Sequence, residues 1–148
     1  MVIAALNDSA MVNLAQFPRV PLCHQPTPIE AMLRLSEHLG GPNLYIKRDD
    51  CTGLASGGNK TRKLEFLVGD ALKQKAYMLV TQGAVQSNRV RQTAAAACRY
   101  GLKCHALLER RVPDRADAYE ETGNVLLDKL FGATLEFRPA GLDMNAEA

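Results

Sequence analysis

The first periodic run of apolar positions lies just after residue 27. Ile29, Met32, Leu33 and Leu39 fall near one helical face. Thr27-Pro28-Ile29-Glu30 adds a hydroxyl N-cap, a proline at the first helical position and a glutamate three residues after the cap. Gly40-Gly41 offers a residue that can turn left-handed at the end. The pattern predicts a helix over 27–39, then a short strand at 44–46. After a polar, glycine-rich stretch over 48–58, Leu64, Leu67, Val68, Ala71 and Leu72 recur with the spacing of a second helix.

Residues 77–80 form a compact apolar run suited to a strand buried on both faces, and 81–86 read as the loop leaving it. An alanine-rich third helix over 88–100 ends at Gly101. A buried strand over 102–108, a charged surface connection over 109–121, a fourth helix over 123–131 and a strand over 133–137 follow. Strands separated by helices need crossover connections, so the fold class expected is α/β, with a mainly parallel sheet carrying helices on its faces. Ligands of such sheets gather at the carboxyl ends of strands. The loops over 48–60 and 81–88, each running from a strand into a helix, are therefore where chemistry is expected.

Composition removes several classes of function. Hydrophobic residues make up 47% of the 148 positions and charged residues 23%, which excludes a disordered chain. Eighteen Lys and Arg against 16 Asp and Glu leave a net charge of +2 with the signs interleaved, so no nucleic-acid partner is expected. No apolar run has membrane-spanning length. The first ten residues carry no basic segment and only a short apolar run, so they do not read as a secretory signal, and the cytoplasm is the expected compartment. Cys23, Cys51, Cys98 and Cys104 form no Cys-x-x-Cys pair and are expected as reduced thiols packed in the core, with no metal site.

In the first loop, Gly53 and Gly58 have the glycine spacing of a phosphate-binding P-loop, but Asn59 intrudes before Lys60-Thr61. Nucleotide binding is thus the weaker reading. Lys60, at a helix start beside Arg62 and Lys63, has another use: a lysine amine can attack a carbonyl and hold it, the attachment used by pyridoxal phosphate enzymes. The plain alternative is a solvated lysine on a first turn. In the second loop, Gln86-Ser87-Asn88 places amide and hydroxyl groups at a helix start, where unpaired N–H groups favour a carboxylate. Ser87 or Asn88 would equally serve as an N-cap.

The strings KRDDCTGLASGGNKTRKLEFL and TQGAVQSNRVRQTAAAA together resemble the D-cysteine desulfhydrase, L-cysteate sulfo-lyase and aminocyclopropane-carboxylate deaminase group of pyridoxal phosphate enzymes. The resemblance runs from about Leu14 to the last residue. The tail GNVLLDKLFGATLEFRPAGLDMNAE most resembles the cysteate sulfo-lyase branch. It implies a tryptophan-synthase-β-like fold with pyridoxal 5'-phosphate as cofactor, a small amino-acid substrate and a homodimer at full length. It makes Lys60 the Schiff-base residue and catalytic base. Ser87 joins Lys60 as a catalytic group, Ser87 and Asn88 meet the substrate carboxylate and the cofactor ring hydroxyl, and Gln86 and Arg89 complete the substrate-binding set. Asn59 and Asn88 line the cofactor. Arg89 departs from the group's pattern, which has His or Gln after the QSN motif, and a cation there suits a sulfonate.

The resemblance also places the glycine-rich phosphate cup and the group facing the pyridine nitrogen in a C-terminal half that this chain lacks. The expected organisation is a disordered extension over 1–10, a segment of the larger cofactor domain over 11–50, and a smaller α/β domain over 51–148. The expected reaction is β-elimination from L-cysteate or D-cysteine. Deamination of aminocyclopropane carboxylate and a non-catalytic fragment are the alternatives.

Overall fold

A computed structural model describes residues 12–141; the extension expected over 1–10 lies outside them. Three strands form a parallel sheet in the order β3-β4-β5: β3 (Met78–Ala84), β4 (Lys103–Arg110) and β5 (Thr134–Pro139). The crossovers between them are α3 (Asn88–Arg99) and α4 (Gly123–Leu130). Earlier in the chain come β1 (Ile29–Ala31), α1 (Leu33–Leu39), β2 (Tyr45–Lys47) and α2 (Lys60–Lys73).

The helix expected from Thr27 starts only at Leu33. Ile29–Ala31 instead pairs antiparallel with Tyr45–Lys47, forming a two-stranded sheet apart from the parallel one. The physical reason is a competition for the cap. The Thr27 side chain is buried and accepts from Arg62 Nη2 at 2.5 Å, and the Pro28 carbonyl accepts from the Arg48 N–H at 3.0 Å. With both groups engaged by residues far along the chain, the local capping pattern has nothing to cap. Gly40 ends α1 as expected, at φ 60°.

The second correction concerns residues 81–84, which continue β3 by pairing with Ala106–Glu109 of β4. Their polar side chains look like a loop, yet the parallel ladder satisfies their backbone. The connection shrinks to residues 85–87.

Alternation along β4 turns Cys104, Ala106 and Leu108 to the helices, where Ala106 and Leu108 are buried with Val90 of α3 and Val125 of α4, and Cys104 with Ala94 and Ala97 of α3. Leu64 and Val68 of α2 pack with Leu22, Leu54 and Ala95–Ala96 in a second cluster. Of the four cysteines, Cys104 fits the expectation of core packing. Cys51 and Cys98 are exposed, because they fall on a loop and on the outer turn of α3. Among the described residues no helix is long and apolar enough to cross a membrane.

The segment before α1 is held to α2 by Glu65, which is 2% exposed. Its Oε1 accepts from the Leu22 and Cys23 N–H groups at 2.9 and 2.8 Å, and Oε2 accepts from Arg19 Nε at 2.7 Å. Burial pushes this carboxyl up. The two N–H groups and the guanidinium outweigh that and hold it below the usual carboxylate range.

Candidate active site

Two helix N-termini meet at one end of the sheet. α3 begins directly beyond the carboxyl end of β3. α2 precedes β3 through a short turn and runs back alongside α3, so its own N-terminus lies toward the same end. A single glutamine joins the two starts. Gln92, fully buried in α3, accepts through Oε1 from the Thr61 N–H at 3.0 Å and the Thr61 hydroxyl at 2.9 Å. Its Nε2 donates to the Asn88 carbonyl at 2.9 Å. The first turn of α2, with Lys60, is thereby fixed to the first turn of α3, with Asn88.

The approach to Lys60 is a tight loop whose glycines are required by space. A Cβ on Gly57 would land 1.7 Å from the Asp50 carbonyl oxygen, and one on Gly58 would land 2.6 Å from the Gln92 amide. Both also hold positive φ, at 76° and 133°. The buried Thr52 hydroxyl accepts from the Gly58 N–H at 2.9 Å and lies within hydrogen-bond reach of the Gly58 carbonyl at 2.9 Å. Arg62 is held to Asp49 at 2.8 Å, and that guanidinium keeps the Asp49 carboxyl below the usual range. Of the two basic neighbours of Lys60, Arg62 is therefore already paired.

Lys60 is the first residue of α2 and half-buried, and no described residue hydrogen-bonds or ion-pairs with its amine. Asn59 precedes it, exposed, with no side-chain capping bond. Ser87 caps α3, its Oγ accepting from the Val90 N–H at 3.4 Å. Gly83 gives that hydroxyl its room, since a Cβ there would stand 2.6 Å from Ser87 Oγ. Asn88 is exposed at the helix start.

Gln86 is turned elsewhere. Its Nε2 donates to the Tyr119 and Thr122 carbonyls at 2.6 and 3.0 Å, and its Oε1 accepts from the Asn124 N–H at 2.8 Å, so its side chain anchors the entry of α4. Arg89 folds back to donate to the Gln82 carbonyl. With Lys63, Leu67 and Val80 it lines a groove of about 440 Å³ between α2 and β3.

Thr61, Gln92 and the buried Arg91 went unread as site residues in the sequence. The signal was there: Arg91-Gln92-Thr93 interrupts the apolar face of an alanine-rich helix, and polar residues on a core face need partners.

The family model described as "Pyridoxal-phosphate dependent enzyme" matches residues 20–148. The chain is similar to a D-cysteine desulfhydrase of Klebsiella pneumoniae subsp. pneumoniae, 52% identical over 138 residues that cover 93% of this chain and 42% of the relative. It is 51% identical over 136 residues to a 1-aminocyclopropane-1-carboxylate deaminase of Burkholderia multivorans, covering 90% of this chain and 40% of that one. A solved structure described as "Crystal Structure Analysis of the ACC deaminase homologue" matches with a TM-score of 0.76 at 43% identity, over 88% of this chain and 37% of that structure. The chain thus spans about two fifths of the length of these curated relatives.

Proposed function

The chain belongs to the family of pyridoxal-phosphate dependent enzymes, and from that premise we propose that it supplies the lysine-bearing part of a carbon-sulfur lyase site acting on D-cysteine or L-cysteate. The observation that carries the reading is the Lys60 amine, without a partner among the described residues, on a helix start that Gln92 ties to the start of α3. A primary amine placed where helix N-termini meet suits a carbonyl-bearing, anionic cofactor. Lys60 would hold pyridoxal phosphate, with Asn59 and Asn88 beside it. When bound, the cofactor supplies an electron-withdrawing ring that makes the substrate's Cα proton removable.

The chain's own groups then have distinct tasks. Lys60 Nζ would be the base for the Cα proton. The N–H groups at the start of α3 and the Ser87 hydroxyl receive the substrate carboxylate. Arg89 and Lys63 line one groove, and a second anion on the substrate that reached into it would meet two cations there. That favours a sulfonate leaving group over a thiol. Gln86, committed to α4, contributes by holding the loop rather than by touching substrate. The same reading carries a homodimeric full-length protein in the cytoplasm.

Deamination of 1-aminocyclopropane-1-carboxylate is the second reading, favoured by the equal likeness to the Burkholderia multivorans relative. Incubating the full-length, cofactor-loaded protein with each substrate separates the two. Sulfite or hydrogen sulfide with pyruvate supports the lyase; ammonia with a four-carbon keto acid, and no sulfur release, supports the deaminase. Changing Arg89 to His should lower the preference for L-cysteate over D-cysteine. An unaltered ratio would remove Arg89 from the substrate.

A further inference from the structure

Arg91 lies outside the chemistry proposed above, yet it is 7% exposed and aimed at the loop that leads into Lys60. Its Nη1 donates to the Ala55 carbonyl and, at 3.1 Å, to Ser56 Oγ; its Nη2 donates to the Gly57 carbonyl at 3.1 Å. Those acceptors belong to consecutive residues in an unusual conformation. Ala55 and Ser56 hold φ of 48° and 64°, the left-handed region that side chains disfavour, and Gly57 continues the run at 76°. Nothing in an Ala-Ser pair prefers that backbone. It persists only where surrounding groups impose it, and the guanidinium fork touches each residue of the run. Burial lowers the Arg91 pKa, and Asp128 is the nearby charge opposing this. Neither Asp128 oxygen has a hydrogen-bond partner among the described residues, nor has Arg91 Nε, so the two Nη groups go to the loop rather than to a carboxylate.

We propose that Arg91 is a positioning residue, whose three contacts hold residues 55–57 in their left-handed form and so set where Lys60 presents its amine. The proposal rests on the reading of Lys60 as the attachment residue.

The test uses the full-length, cofactor-loaded protein with Arg91→Lys, which keeps the charge but loses the planar fork. Two quantities are read: hydrogen exchange at the Gly57 and Gly58 amides, and the rate at which borohydride fixes cofactor to Lys60. Arg91→Lys should speed exchange at these amides and slow labelling, each about tenfold, the factor expected for releasing one strained residue. Placing glycine at both 55 and 56 in the Arg91→Lys protein should restore most of both, because glycine adopts the left-handed run unaided. A merely structural arginine would not be rescued at those two positions. Should Arg91→Lys fail to fold, Ser56→Ala removes one exposed acceptor and should move both readings about twofold in the same direction. Wild-type protein that is never labelled at Lys60 would defeat the reading of the site. Normal labelling with unchanged exchange and rate in the variants would defeat the role of Arg91 alone.

Discussion

Gln92 accepts both the backbone N–H and the hydroxyl of Thr61, and through that pair the helix carrying Lys60 is joined to the helix carrying Asn88. Thr61 and Gln92 are both fully buried, so replacing Gln92 by Leu leaves the Thr61 N–H with only a long contact, 3.4 Å, to the Gly58 carbonyl. The expected loss of stability is about 1 to 3 kcal/mol, measured by denaturant unfolding, with weaker cofactor binding alongside. A stable variant with undiminished cofactor affinity would mean that the helix starts are placed without this link.

Ser87→Ala and Asn88→Ala separate capping from catalysis. The Ser87 capping bond is long, at 3.4 Å, and Asn88 is exposed, so either change should cost at most about 1 kcal/mol of stability. A much larger fall in kcat/KM in the full-length enzyme is the expected outcome. Lost melting temperature with unchanged kcat/KM would identify both as caps only.

Asp128 makes stability depend on pH. Burial in α4 raises its carboxyl to about 7, against the opposing pull of Arg91. Between the unfolded value near 4 and the folded value, the native state binds a proton that the unfolded chain has released. The stability this group contributes is therefore full below about pH 4 and is lost as pH rises to about 7, by up to about 1.4 kcal/mol per unit. Asp128→Asn should flatten that slope in unfolding curves taken from pH 4 to 8. An equal slope in both proteins would assign it to other groups.

Glu65 works in the opposite sense. Its depressed folded pKa means that its contribution is present above the unfolded value and fades as pH falls through the folded one. Glu65→Ala leaves the Leu22 and Cys23 N–H groups buried without their acceptor and should cost about 3 kcal/mol at pH 7. The deficit should narrow in acid, as unfolding measurements at pH 7 and pH 3 would show.

The parallel sheet and the helices beside it were legible because their signals are local: Leu64, Leu67, Val68 and Leu72 mark one face of α2, and Gly101 ends α3. Ile29–Ala31 was misread because its partner, Tyr45–Lys47, lies across a helix, and strand pairing leaves no trace in a short window. Thr27 looked like a cap until Arg62 claimed its hydroxyl. Lys60, Ser87 and Asn88 could be singled out because their residue types carry chemistry at a helix start. Gln92 and Arg91 stand out only as polar residues on an apolar face; their roles were not legible, since these depend on residues more than thirty positions away. Gln86 shows the converse: its place beside Ser87 suggested a ligand contact, and the fold gives its amide to α4.

The attachment point of the cofactor tests the account most directly. Full-length protein loaded with pyridoxal phosphate, reduced with borohydride and digested, should yield a single cofactor-bearing peptide, labelled at Lys60 and absent from the Lys60→Ala protein. A label on Lys47, Lys63 or Lys73 instead would contradict it.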